Sequence, residues 1–236
     1  MVEIIPAILP KSYEELEEKL DISAGHADVV QIDICDGSYV PSRTWPYLKG
    51  ADNQSDQIFE SLVSQERALP HWEEIDFEFD LMVKNAYEKI PDFISAGASR
   101  IIIHKTSMDE EELKAVIRDY GKHSDEVGIF DVELGIALLP DDSIDSIKDV
   151  ISNIHFVQIM GISNIGFQGQ NFNMKAVELV KEIKKEYPNL IISVDGGVNL
   201  ETAKILVNAG ADRLIVGSYL FNATDFSGTL KELGSL

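Results

Sequence analysis

Short runs of β-branched and aliphatic residues alternate along the chain with segments whose apolar residues recur every three or four positions. The first pattern is typical of buried parallel strands, and the second of amphipathic helices. One helix is predicted to begin near Ser12, where Glu15 completes a capping-box pattern. Another is predicted in DDSIDSIKDVISN, where Ile144, Ile147 and Ile151 share a face. Eight strand-then-helix units follow one another in this way.

The predicted strands lie in the segments VEIIPAIL, VVQIDI, IDFEFDLMV, RIIIH, VGIFDVELGIALL, IHFVQIM, LIISV and DRLIVGS. Eight such units in 236 residues are what a (β/α)8 TIM barrel requires. The sequence therefore predicts an α/β protein with a single TIM-barrel domain over residues 1–236. A doubly wound open sheet is the alternative.

Charge and composition narrow the range of partners. The 41 Asp and Glu residues outnumber the 20 Lys and Arg residues and give a formal charge of −21, which would repel nucleic acid and anionic membranes. No signal-peptide pattern opens the chain, and no apolar run reaches the ~18 residues of a membrane helix. The lone cysteine, Cys35, excludes an internal disulfide. Together these features predict a cytoplasmic protein that uses neither nucleic acid nor a membrane.

Polar residues at the predicted strand ends are the first candidates for chemistry, because barrel enzymes work where strands end and loops begin. Strand residues alternate between two faces, so Gln31 and Asp33 share the interior face of strand two, as Glu78 and Asp80 do in strand three. An interior carboxylate is costly to desolvate unless it is used or paired. This favours a functional role for Asp33 and an ion pair for Glu78. His104 lies at the end of strand four. A buried histidine whose ring is hydrogen-bonded within the core is favoured there over a metal ligand or a catalytic base.

Glycine-rich loops follow the last three predicted strands. They carry Gly166 and Gly169 after strand six, Gly196 and Gly197 after strand seven, and Gly217 and Ser218 after strand eight. Exposed backbone N–H groups in such loops can bind an anion, and phosphate sites of these barrels are built after strands seven and eight. The spacing favours a phosphate site. The alternative is that the glycines only permit tight turns.

Taken together, these motifs resemble the ribulose-phosphate 3-epimerase family of barrel enzymes. The matching segments are PAIL, IDICDGSYVP, DLMV, GIALLP, GFQGQNF, VDGGVN and VGSYLF, and they span almost the whole chain. The resemblance implies an isomerase of carbohydrate metabolism, in the pentose phosphate pathway, that epimerises C3 of a small phosphorylated sugar. It also implies a homo-oligomer.

The resemblance implies roles for individual residues. Asp33 and Asp195 match the family's two aspartates, which exchange the C3 proton on opposite faces of the sugar through an enediolate. Met82 and Met160 match two of three methionines that shield the reactive carbon, and Cys35 replaces the third. Most of the loop residues named above match the family's phosphate donors.

The metal-binding positions depart from the family pattern. The family holds its metal with two histidines and the two aspartates, and the histidines fall at Gln31 and Asp80 here. The remaining set, Gln31, Asp33, Asp80 and Asp195, offers only oxygen ligands. Such ligands favour Mg²⁺ or Mn²⁺ over Zn²⁺ or Fe²⁺, and a metal-free site is the alternative. A first-strand serine of the family falls at Ala7.

Two functions remain open at this point. One is a ketose-phosphate 3-epimerase that uses Asp33 and Asp195. The other is a sugar-phosphate-binding or regulatory barrel that has lost metal-dependent epimerase activity. A different reaction on the same barrel, such as Mg²⁺-dependent decarboxylation, ranks below both.

Overall fold

Eight parallel strands close into a barrel in the computed structural model, which describes residues 1–47, 56–122 and 132–236. The strands are β1 (Glu3–Ile8), β2 (Val29–Cys35), β3 (Asp76–Met82), β4 (Ala98–His104), β5 (Glu133–Leu138), β6 (Phe156–Met160), β7 (Ile191–Asp195) and β8 (Arg213–Val216). Each strand pairs with the next, and β8 closes the sheet by pairing with β1. The predicted TIM-barrel fold is confirmed, and the open-sheet alternative is wrong.

Helices surround this barrel. Within the described ranges the α-helices are α1 (Tyr13–Ser23), α2 (Gln57–Val63), α3 (Ala86–Ser95), α4 (Glu110–Tyr120), α5 (Lys175–Glu186), α6 (Leu200–Ala209), α7 (Ser218–Phe221) and α8 (Phe226–Gly234). The predicted cap of α1 is present, since the Glu15 backbone N–H donates to Ser12 Oγ at 3.2 Å. None of these helices has the length and apolar character needed to span a bilayer.

One predicted element differs from the structure, and another lies partly outside the described residues. The segment predicted as one helix after β5 forms two 3-10 helices instead, Ile144–Ile147 and Ile151–Asn153. A spacing of three residues suits the three-residue turn of a 3-10 helix as well as an α-helix, so the apolar pattern alone did not distinguish them. The first part of the segment predicted to hold strand five, residues 127–131, lies outside the described residues.

The two faces of the strands separate the apolar core into layers. Ile32, Ile34 and Phe79 pack with residues of the surrounding helices in the larger core. Met82 and Met160 belong to a separate apolar cluster inside the barrel. This division follows because successive residues of a strand point to opposite faces of the sheet. Polar side chains occupy the inward-facing positions that apolar residues do not fill.

An ionic layer lies at the N-terminal end of the barrel strands. Glu78 is fully buried there, and its Oε2 lies 3.7 Å from Arg100 Nη1. Arg213 pairs with Glu3 at 2.9 Å, and Arg100 pairs with Glu133 at 3.1 Å. The ion pair predicted for Glu78 is therefore present. Burial raises the pKa of Glu78 to about 7, although the Arg100 and Arg213 charges oppose the shift.

We expect Glu78→Gln to flatten the pH dependence of stability. A carboxyl group whose folded pKa of about 7 exceeds its usual value of 4.5 binds more protons when folded than when unfolded between those pH values. The associated stabilisation is complete below the lower value, and it is lost as pH rises through the upper one, a change on the order of 3 kcal/mol.

Urea unfolding at about pH 5 and about pH 8 checks this prediction, because the free energy of unfolding should differ less between these conditions in E78Q than in the wild type. Glu201→Gln is the matched control, since Glu201 is exposed on α6. A pH difference in E78Q as large as that of wild type and E201Q contradicts the prediction.

Candidate active site

A cavity of about 570 Å³ opens at the C-terminal end of the barrel strands. Asp33, near the end of β2, and Asp195, at the end of β7, line it together with Met82 and Met160. The predicted loop residues also line it: Gly166, Gly169, Gly196, Gly197, Gly217 and Ser218. The structure therefore brings most of the predicted site residues to one cavity, at the end of the barrel where such enzymes carry out their chemistry.

Three predicted site residues, Gln31, Asp80 and Cys35, are fully buried and do not line this cavity. Gln31 and Asp80 contact the site from within the barrel. Cys35 packs beside Met82 in the interior apolar cluster, and its backbone N–H donates to Thr44 Oγ1 at 2.8 Å. Burial also raises the pKa of the Cys35 thiol. Cys35 thus supports the wall of the cavity from behind.

Three carboxylates converge at the floor of the cavity. Oxygen atoms of Asp33, Asp80 and Asp195 lie within 4.8 Å of one another. Asp33 and Asp80 meet because β2 and β3 pair in a register that sets them side by side. Gln31 Nε2 donates to Asp33 Oδ1 at 2.8 Å and to Asp195 Oδ2 at 3.3 Å. A neutral amide group therefore joins the two carboxylates that line the cavity.

Asp80 is held from two further strands. His104 Nε2 lies at the hydrogen-bond distance of 2.8 Å from Asp80 Oδ1, and Gln158 Nε2 donates to Asp80 Oδ2 at 3.2 Å. The Tyr39 ring packs against His104 with ring centroids 5.6 Å apart. His104 is thus the satisfied core histidine that the sequence favours. Sequence reasoning missed Gln158, whose signal was its interior position two residues before Met160.

Burial and mutual repulsion raise the pKa of both cavity-lining carboxyl groups. For Asp195, burial and then the Asp80 charge raise the pKa to about 7, although the Gln31 hydrogen bond and His104 oppose this shift. For Asp33, burial and then the Asp195 and Asp80 charges raise the pKa well above its ordinary value. Each carboxyl group is therefore easier to protonate near neutral pH than an exposed aspartate is. Such a pair can present an acid and a base at the same time.

The oxygen atoms at this floor fit a hard divalent cation. Asp33, Asp80 and Asp195 each offer a carboxylate oxygen to a common region. Gln31 Oε1 is buried and has no hydrogen-bond partner among the described residues. If the Gln31 carboxamide rotated so that its oxygen and nitrogen exchanged places, this oxygen would face the carboxylates, an orientation favourable only beside a cation. Four oxygen ligands suit Mg²⁺ or Mn²⁺ better than Zn²⁺.

Comparisons with known proteins agree with this geometry. Residues 3–221 match the model of the Ribulose-phosphate 3 epimerase family. Ribulose-phosphate 3-epimerase of Bacillus subtilis is 28% identical over 240 residues, which cover 99% of this chain and 98% of that protein. Ribulose-phosphate 3-epimerase of Chlamydia pneumoniae is 31% identical over 205 residues, which cover 84% of this chain and 77% of that protein.

A solved structure shares the fold. 3-Hexulose-6-phosphate synthase from Salmonella typhimurium superposes with a TM-score of 0.67 at 15% sequence identity. The superposition covers 99% of this chain and 97% of that one. At this identity the similarity shows the architecture alone.

We expect His104→Leu to lower the free energy of unfolding by about 2–4 kcal/mol, because it leaves the Asp80 carboxylate buried with one hydrogen-bond partner fewer. Adding Asp80→Leu should recover part of this loss, since the double variant has no buried charge left unpaired at this pair. Urea unfolding measures both effects. The control is His26→Leu at an exposed histidine, expected to change stability by less than about 0.5 kcal/mol. Equal effects of H104L and H26L would contradict the prediction.

Proposed function

The chain belongs to the ribulose-phosphate 3-epimerase family, and on that basis we propose that it epimerises C3 of a ketose phosphate with Asp33 and Asp195 as its acid-base pair. The observation that carries this proposal is the pair of cavity-lining carboxyl groups whose pKa values are raised by burial and by nearby charge. Epimerisation by two bases requires one ionised and one protonated group at the start. Raised pKa values and mutual repulsion favour such a state, in which one of the two groups holds the proton.

In the proposed reaction, the ionised carboxylate removes the proton from C3 of the ketose. The electrons of the broken C3–H bond form a double bond between C2 and C3, and negative charge moves to the oxygen on C2. The protonated carboxyl group of the other aspartate then delivers its proton to the opposite face of C3, which inverts the configuration. The pair still holds one proton after the reaction, now on the other aspartate. In this structure Gln31 Nε2 donates hydrogen bonds to both carboxylates and so joins the two groups.

The apolar wall of the cavity supports this chemistry. Met82 and Met160 line the cavity beside the aspartates, and each is only 2% exposed. Cys35 pairs in register with Met82 and packs behind it. Such a wall excludes water from the reacting carbon, where water would protonate the enediolate without control of the face.

For a metal ion, we propose that Gln31, Asp33, Asp80 and Asp195 would hold Mg²⁺ or Mn²⁺. When bound, the cation supplies electrostatic stabilisation of the charge that develops on the substrate oxygens. Asp80 suits the role of a ligand because His104 and Gln158 already orient its carboxylate.

The substrate's phosphate is proposed to bind at the glycine-rich loops and Ser218, through backbone N–H groups. These loops approach each other closely. A Cβ atom on residue 197 would lie 3.0 Å from the Phe172 α-carbon, and Gly197 has a φ of +68°. Glycine is required for this backbone conformation, which brings the loop after β7 against the loop after β6. Backbone donors at such a junction suit a phosphate group.

A second candidate function is a sugar-phosphate-binding or regulatory barrel without turnover. The observation in its favour is the direction of the Gln31 amide, whose N–H groups point at both aspartates, whereas a metal would need the carbonyl oxygen there. Stabilisation of the protein by ribulose 5-phosphate without proton exchange would support this alternative.

We expect Asp33→Asn and Asp195→Asn each to slow proton exchange at C3 by roughly 10²–10⁴-fold, because each removes one member of the acid-base pair. Incubation with ribulose 5-phosphate in D₂O, followed by mass spectrometry of deuterium at C3, measures the rate. Asp28→Asn makes the same change at an exposed residue just before β2 and should leave the rate unaltered. The epimerase proposal fails if wild-type protein exchanges no C3 proton of pentulose or hexulose phosphates, or if D33N and D195N exchange it at the wild-type rate.

We expect Mn²⁺ to bind the wild-type protein and raise its thermal midpoint, because the cation neutralises repulsion among buried carboxylates. Asp80→Asn should weaken Mn²⁺ binding by about tenfold or more, as measured by the electron paramagnetic resonance of free Mn²⁺. Asp76→Asn is the control, since Asp76 is exposed on the same strand. Equal Mn²⁺ affinity of D80N and D76N would rule out Asp80 as a ligand.

A further inference from the structure

Gln168 extends from the loop after β6 into the cavity and bridges two strand ends. Its Nε2 donates to the Ala7 carbonyl oxygen at 3.3 Å. The same Nε2 atom would lie 2.7 Å from a Cβ atom placed on Gly217, so the carboxamide rests against that glycine. The Gln168 carboxamide thus lies between the end of β1 and the residue that follows β8, beside the proposed phosphate loops.

The loop that carries Gln168 is tied on both sides of this residue. Before it, Ser42 Oγ donates to the Gly166 carbonyl oxygen. After it, Gln170 Nε2 donates to the Phe167 carbonyl oxygen at 3.1 Å. Neither bond involves Gln168: one joins the loop to Ser42, and the other lies within the loop. The single long hydrogen bond from Gln168 to an open cavity wall adds little to the stability of the fold.

The charge of the cavity lining limits how a phosphate could be held. Among the described residues that line it there is no lysine, arginine or histidine, whereas Asp33 and Asp195 do line it. The chain also carries a formal charge of −21. A phosphate dianion bound here therefore depends on neutral donors, and each of them contributes more than it would beside a lysine.

The Gln168 carboxamide is such a donor. Its nitrogen carries two hydrogens, and within the described residues only Ala7 accepts one of them. Ala7 itself has no polar side chain at the end of β1. A donor that reaches this position from another loop supplies the polar contact that the strand end does not.

We propose that Gln168 is a substrate-binding residue whose carboxamide N–H donates to a phosphate oxygen of the bound sugar phosphate. This inference rests on the proposed function for the class of its ligand. It adds a side-chain donor to the backbone donors of the glycine loops.

Isothermal titration calorimetry with ribulose 5-phosphate and with inorganic phosphate tests this proposal. We expect Gln168→Ala to weaken binding of both by about tenfold, and Gln168→Glu by more, because it replaces the donor with a negative charge. Asn171→Asp is the matched control. Asn171 is exposed in the same loop and does not line the cavity, so N171D adds the same charge away from the ligand and should change affinity by less than about twofold.

The outcomes separate this inference from the proposed function. Unchanged binding in Q168A, or equal weakening in Q168E and N171D, overturns the role of Gln168. Wild-type protein that binds ribulose 5-phosphate but exchanges no C3 proton of pentulose or hexulose phosphates overturns the epimerase proposal alone, since the Gln168 test measures binding. Wild-type protein that binds neither ligand overturns both. Matching thermal midpoints show that the variants are folded.

Discussion

Three carboxylates lie within 4.8 Å of one another in the barrel interior, which is closed to solvent on most sides. The rest of the site depends on this constraint. Removing each charge from water costs several kcal/mol unless other groups replace the lost hydration. Three polar side chains from three different strands supply that replacement: Gln31, His104 and Gln158. The raised pKa values of Asp33 and Asp195 reflect the part of this cost that is not offset, and the proposed proton transfer depends on them.

The sequence predicted the barrel and the faces of its strands because both depend on local periodicity. Gln31 and Asp33 share an interior face whatever the neighbouring strand contributes, and the structure agrees. Contacts between side chains of different strands could not be predicted from the periodicity of one strand. That Gln158 and His104 both meet Asp80 depends on closure of the barrel and on side-chain rotamers, which no spacing along one strand encodes.

The sequence also could not show how deeply a residue at the end of a strand is buried. The two-residue period places Cys35 on the interior face, but it does not say how much of the following loop folds over that position. In the structure the Thr44 hydroxyl group accepts a hydrogen bond from the Cys35 backbone, and Cys35 is sealed beneath the cavity wall. Gln168 was missed for a related reason, since a loop residue's reach toward Ala7 becomes visible only when β1 and β6 are placed in one barrel.

The Gln31 carboxamide has a consequence for how the protein can complement its acidic floor. An ionised carboxylate presents only acceptors to its surroundings, so it cannot donate a hydrogen bond to a neighbouring carboxylate. A carboxamide carries a donor on one edge and an acceptor on the other, and rotation about one side-chain bond reverses the dipole facing the aspartates. The Gln31 side chain can therefore present either a donor or an acceptor to the acidic floor without any movement of the backbone.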